Sequence, residues 1–376
     1  MIERIRHMLI KEFIQVFRDP KMKGVIFLMP IIQVLVFGYA VTTDVKHVAT
    51  ALYDLDNSVA SRELAGRFVK SGYFDIVEHV DNDARARELV DRDLARAVLR
   101  INQGFGDDLM AGKTAELQLI VDGSDSNTAG IVLNYSARIV GEFSRQVLIT
   151  RFARLRGSSA QPAMVDVQTR AWFNENLESR NFYVPGVIAI IVMLITLMLT
   201  SMAVVREKEI GTMEQIMVTP ITPAEFILGK TVPFALIGFA DVILITLIGV
   251  FWFDVPIRGN LPLLFAATAL YLMTTLGVGL LISTVSQTQQ QAMMTTFFFY
   301  FPAVLLSGFM FPIANMPVII QWITYMNPLR YFLVIIRGIF LKGIGPGILW
   351  PQMTALAVMG LVTLWLASRR FQKTLA

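Results

Sequence analysis

The stretch Val184-Pro-Gly-Val-Ile-Ala-Ile-Ile-Val-Met-Leu-Ile-Thr-Leu-Met-Leu-Thr-Ser-Met-Ala-Val-Val205, followed at once by Arg206-Glu207-Lys208-Glu209, decides the fold. It runs for 22 residues without a charge, and a helix rising 1.5 Å per residue needs about 20 apolar residues to cross a hydrocarbon core of about 30 Å. A core helix of a soluble protein would carry a charged face; this stretch has none, so it reads as a membrane span with its end marked by charges. Five further stretches read the same way: Val25 to Val41, Ile227 to Phe253, Leu261 to Ser283, Ala292 to Phe311 and Ile348 to Ala367. Composition agrees, since 55% of the 376 residues are hydrophobic and only 16% charged, against roughly 25% charged in soluble domains. The expected fold class is a mostly α polytopic membrane protein with six transmembrane helices, plus an external α/β domain between helices 1 and 2.

Orientation follows from Lys and Arg near span ends. Arg4, Arg6, Lys11, Arg18, Lys21 and Lys23 precede the first span, Arg206 and Lys208 follow the second, and Arg369, Arg370 and Lys373 follow the sixth. Both termini are therefore expected in the cytosol and residues 42–183 outside. Residues 1–23 read as an amphipathic interface helix with Ile2, Ile5, Leu9, Phe13 and Val16 or Phe17 on one face. Small residues around Gly38-Tyr39-Ala40 would suit a cleaved signal peptide, but the 24 residues before the first span are long for its basic leader. Val318 to Leu341 is apolar enough to suggest a seventh span, yet Arg330 and Arg337 would each cost about 2.5–3.5 kcal/mol at the bilayer centre. We read it as two short helices broken at Asn327-Pro328, with the arginines at the interface.

The 42–183 block has ordinary soluble composition. Val48 to Leu55, Phe74 to His79, Ala97 to Ile101 and Glu116 to Val121 read as strands, with helices at Ser58 to Lys70 and Asn82 to Asp91 and a long one from Asn127 to Leu155. No catalytic constellation is visible there. The chain has no cysteine and three scattered histidines, His7, His47 and His79, which argues against thiolate chemistry and a His/Cys metal site. The net charge of +4 sits beside the spans rather than in an aromatic-interleaved patch, so it marks topology and not nucleic-acid binding.

Gly112-Lys113-Thr114 and Gly229-Lys230-Thr231 resemble the end of a P-loop, but the phosphate cradle needs a glycine where Asp107 and Ala224 stand. Any ATP dependence must come from a partner. The segment after the second span, Arg206-Glu-Lys-Glu-Ile-Gly-Thr-Met-Glu-Gln-Ile-Met-Val-Thr-Pro-Ile-Thr222, holds a short amphipathic helix from Thr212 to Val218 that Pro220 stops. Its apolar residues Ile210, Met213, Ile216 and Met217, opposite Glu214 and Gln215, suit either a groove on another protein or the inner membrane surface.

At these residues the chain resembles the ABC-2 type permeases, a family of exporter membrane subunits. The resemblance runs through Arg206-Glu-Lys-Glu-Ile-Gly-Thr-Met-Glu-Gln215, Thr219-Pro220, Glu225-Phe226 and Gly229-Lys230. It continues in Leu281-Ile-Ser-Thr-Val-Ser286, Gln289-Gln-Gln-Ala-Met293, Leu306-Ser-Gly-Phe309, Phe311-Pro312, Asn327-Pro-Leu-Arg-Tyr331 and Arg337-Gly-Ile339. It implies a permease that pairs with a second copy or a close relative and is driven by an ABC ATPase, as two copies or a fused pair, which carries ATP and Mg; this chain itself would need no cofactor. It further implies a coupling helix in the 206–226 loop, with Glu207, Glu209, Gly211, Thr212, Met213, Glu214, Ile216, Met217 and Pro220 at the ATPase interface, and outer-leaflet helices within 313–345. Drug-like or lipid-like cargo, a bacterial inner membrane and a periplasmic adaptor that continues the route complete that expectation.

Asp241 lies near the middle of the third span, where an unpaired carboxylate is costly. It reads either as a contact for a cationic cargo group or as a packing residue hydrogen-bonded to a hydroxyl such as Thr246. Met293, Phe297 and Tyr300 are candidates to line a pliable apolar path, although five consecutive aromatics, Phe297 to Phe301, cover every face of a helix. The rival function is a membrane-anchored receptor or assembly protein that binds through its external domain and moves nothing.

Overall fold

The computed structural model describes residues 2–18, 20–40, 45–156, 172–174, 178–212 and 222–374. Two compact units result, Thr43–Thr169 and the combination of Met1–Thr42 with Arg170–Ala376.

The chain begins with helix α1 (Ile2–Arg18), a single turn α2 (Pro20–Lys23), a π-helical turn (Gly24–Leu28) and α3 (Met29–Ala40). The buried side of α1 differs from the expected one. Glu12 and Val16 are buried while Ile10, Ile14 and Phe17 are exposed, so the packed face runs through Met8, Glu12 and Val16. The reason is that α1 meets protein through a charged residue, which leaves apolar side chains exposed on its other side.

The second unit is a four-stranded sheet in the order β2-β1-β3-β4, formed by β1 (Val48–Asp54), β2 (Phe74–His79), β3 (Ala97–Ile101) and β4 (Leu117–Val121). Strand β1 pairs parallel with β2 and β3, and β4 closes the other edge antiparallel to β3. Between the strands run α4 (Val59–Lys70), α5 (Asp83–Asp91) and α6 (Phe105–Ala111), and α7 (Ser126–Arg156) follows β4. Central β1 is covered on both faces, by Leu64, Phe68 and Val132 on one side and Ala86 and Leu89 on the other, as a strand in parallel pairing requires. Ser58 caps α4 and Asn82 caps α5. Helix α6 was not anticipated; its sequence, Phe-Gly-Asp-Asp-Leu-Met-Ala, is short and has glycine at both caps.

The remaining helices are α8 (Ser179–Ile210), α9 (Pro223–Phe251), α10 (Leu261–Val285), α11 (Gln289–Leu305), α12 (Val318–Thr324), α13 (Pro328–Arg337) and α14 (Pro346–Thr374). Four of them, α8, α9, α10 and α14, are long and apolar enough to cross a membrane. The first expected span is a shorter apolar helix, Gly24–Tyr39. The fifth stops at Leu305 after 17 residues, about 25 Å of helix, because residues beyond it turn at Gly308, whose φ is +82°. Helix α12 and the segment Pro328–Lys342 meet at 79°, the break falling at Asn327-Pro328. Asn327 holds it by donating to Ala303 O at 2.6 Å and accepting from Leu329 N at 3.1 Å.

Helix α8 is the hub, with 78% of its most apolar window buried, against 17% for α14. Its partners meet it through small and hydroxylic residues: Thr196 bonds Thr275 at 2.9 Å, Ser201 bonds Thr296 at 3.0 Å, Tyr271 donates to Ala189 O at 3.0 Å, and Gly238 and Gly279 lie against Thr196 and Thr200. Close packing of this kind is what holds helices together where lipid removes the hydrophobic driving force. Arg337, expected at an interface, is held by protein. Its guanidinium stacks 3.6 Å from the Phe182 ring centroid, donates to Phe182 O and Gly308 O at 3.3 Å, and packs against Gly186, where a side chain would also meet Phe309.

Candidate functional site

The last turn of α8 carries Arg206-Glu207-Lys208-Glu209-Ile210, and Gly211 closes it in the left-handed conformation, φ +82°, with its N–H on Lys208 O at 3.2 Å. Thr212 folds back so that its hydroxyl bonds both the carboxylate and the main-chain oxygen of Glu207. The start of α9 is equally defined: Thr222 and Glu225 form a reciprocal capping box, Thr222 N to Glu225 Oε2 at 2.8 Å and Glu225 N to Thr222 Oγ1 at 3.3 Å. Both ends of the connection between α8 and α9 are thus anchored. Met213, Glu214, Ile216, Met217 and Pro220 lie outside the described residues.

At the α8 end sits a buried charge cluster. Lys230 Nζ is 2.6 Å from Glu12 Oε1 and 2.9 Å from Glu207 Oε1, and Lys11 Nζ reaches Glu207 Oε1 at 2.8 Å. Lys230 is fully buried, Glu12 is 2% exposed and Glu207 4%. Two acids facing two ammonium groups leave no net charge, which is the condition for removing charges from water without a prohibitive penalty. Three segments far apart in sequence meet there, α1, the end of α8 and the first turns of α9. Gly229 brings α1 close, since a side chain at that position would run into Met8.

Glu207, expected at the ATPase interface, is buried and ties α8 to α1 and α9. Glu209 is exposed, but its carboxylate accepts from Gln289 N at 3.2 Å and Gln289 Nε2 at 2.8 Å. Lys208 donates to Ser283 O at 2.8 Å. Sequence reasoning missed Glu12, Lys11 and Lys230. The signal that could have found them is an acid on the packed face of α1 together with a lysine four residues inside an otherwise apolar span. Lys230, suspected for its Gly-Lys-Thr setting, spends its charge on two carboxylates of its own chain.

Asp241 is 1% exposed, and among the described residues neither carboxylate oxygen has a hydrogen-bond partner. The bond to Thr246 that the packing alternative allowed is not made; among the described residues the Thr246 hydroxyl is itself buried without a partner. Met293, Phe297 and Tyr300 lie on α11, which packs on α8, and all three are half-buried. Phe297 stacks on Phe301 at 5.9 Å and Tyr300 packs against the bundle core, while Phe298 is 83% exposed.

Comparison with known proteins places these features in context. The family model described as ABC-2 family transporter protein matches residues 24–369. The chain is 34% identical over 363 residues to the probable multidrug ABC transporter permease YbhR of Escherichia coli, covering 96% of each chain. It is 34% identical over 372 residues to the probable multidrug ABC transporter permease YbhS of the same organism, covering 98% of this chain and 97% of the relative. It is also 24% identical over 344 residues to ABC transporter G family member 20 of Dictyostelium discoideum, covering 89% of this chain and 46% of that longer one.

Proposed function

Because the chain belongs to the ABC-2 family of transporter proteins, we propose that it is the membrane permease subunit of an exporter driven by a separate ABC ATPase, with the 206–226 loop as the docking element. One observation carries the reading: the end of α8 that bears this loop is tied by Glu207 and Lys230 to two other segments of the bundle, α1 and α9. A loop that only connected two spans would need no such anchorage. A push on it reaches the bundle. Six spans, both termini in the cytosol, residues 42–183 in the periplasm and a second permease subunit complete the proposal, set in a bacterial inner membrane. Gly24–Tyr39 and α11 supply the two shorter spans by tilting less or thinning the bilayer, which costs only fractions of a kcal/mol per Å.

Purification in mild detergent with identification of the bound subunits tests this. An ABC ATPase and a second permease copy should be recovered; a chain recovered as a monomer without ATPase contradicts it. Orientation is checked on single introduced cysteines, which the cysteine-free chain allows. An impermeant thiol reagent should label position 107 in spheroplasts and position 210 only after lysis, and the reverse pattern overturns the topology.

The cargo proposed is drug-like or lipid-like, in line with the multidrug names of two relatives, with Asp241 as a contact for cationic groups. Its buried, unpartnered carboxylate supports that role. Asp241→Asn should then slow export of a cationic dye more than that of a neutral one. Equal loss for both would return Asp241 to a packing role.

A further inference from the structure

The three charges that end α8 follow one another in sequence, and each engages a different part of the bundle. Successive helical residues point about 100° apart, so Glu207, Lys208 and Glu209 together face three sides of α8. Glu207 reaches α1 and α9 through Lys11 and Lys230. Lys208 donates to Ser283 O in the last turn of α10, at 2.8 Å. Glu209 accepts from the first main-chain N–H of α11 and from the Gln289 side chain.

The signs fit the directions of the partner helices. A helix C-terminus presents free carbonyls and partial negative charge, which suits the Lys208 ammonium, and an N-terminus presents free N–H groups, which suits the Glu209 carboxylate. Where α10 ends and α11 begins, the order acid-base-acid is the one that satisfies all three neighbours; exchanging Lys208 and Glu209 would set like against like at both.

We propose that Glu207, Lys208 and Glu209 are positioning residues that divide any movement of the cytosolic loop among α1 with α9, α10 and α11, each through its own contact. The coupling role rests on the permease reading above, whereas the division of contacts does not. A helix end held on three sides cannot turn or slide without drawing its neighbours along.

The test has two arms on the full chain. In the first, without ATPase, spin labels are placed at the exposed pairs 210/290 and 210/285 and the distance distributions are measured in lipid. Glu209→Ala should broaden the 210/290 distribution and leave 210/285 narrow, and Lys208→Met should do the reverse, with Lys208→Arg restoring the wild-type width. Equal broadening of both pairs by either variant, or no broadening by both, overturns the division. In the second arm, with the co-purified ATPase in vesicles, Glu209→Ala and Lys208→Met should each lower the ethidium moved per ATP hydrolysed roughly tenfold, the size expected when a charge-assisted hydrogen bond is lost, and Lys208→Arg should restore it. An unchanged ratio alongside selective broadening overturns the coupling role. Absence of the ATPase from the wild-type chain instead overturns the permease reading, and the coupling role with it.

Discussion

Replacing Lys230 with Met should destabilise the helical bundle by about 3–5 kcal/mol, because it strands two buried carboxylates for which, among the described residues, only the half-exposed Lys11 is left as a partner. Glu12 has Lys230 as its close partner at 2.6 Å, and Glu207 would retain only Lys11, whose side chain is 50% exposed. The matching substitution Lys11→Met removes a pair that is half in solvent and should cost about 0–1 kcal/mol. The contrast separates burial from mere proximity of charge. Thermal unfolding in one detergent gives the comparison. Adding Glu12→Gln and Glu207→Gln to Lys230→Met should recover much of the loss, since the penalty lies in the uncompensated charges rather than in missing attraction. Similar midpoints for Lys230→Met and Lys11→Met would show that water reaches the cluster.

Replacing Met213 and Met217 together with Ser should remove most of the ATPase from the purified complex without changing the amount of inserted permease. Four residues apart, the two thioethers share one face of the expected helix. Methionine adapts well to a groove. Truncating a well-packed contact typically costs about 1–2 kcal/mol or more, so the pair would lower affinity by roughly thirtyfold or more if the terms add. Glu209→Gln should leave ATPase recovery intact, because that carboxylate is committed to the start of α11. If the double variant retains its ATPase, the loop is not the docking element.

Much of the fold was legible because its signals are local. The strands show as short Val/Ile/Leu-rich runs between turn residues, the spans show as long apolar runs, and Asn327-Pro328 shows as a break; the structure places the strands and the break within a few residues of expectation, and four of the six expected spans fall on helices long and apolar enough to cross a membrane. What escaped was tertiary. Nothing in the periodicity of α1 says that Glu12 rather than Phe13 faces protein, since a charged residue on a packed face is paired by a lysine 218 positions away. Arg337 escaped likewise, because its cost in the membrane depends on Phe182, Gly186 and Gly308. Glu207, Lys208 and Glu209 looked like a surface charge run marking a membrane exit. Only the directions of α10 and α11 turn that run into three separate contacts.

The most direct measurement of the central claim follows cargo in inside-out vesicles that hold the chain with its co-purified ATPase. Ethidium and a fluorescent phospholipid analogue serve as drug-like and lipid-like probes. The account predicts that at least one of them moves when ATP is added, and that movement stops when the ATPase's catalytic site is inactivated by mutation. A complex that binds and hydrolyses ATP while moving neither probe, or moving them equally with the inactive ATPase, would contradict it.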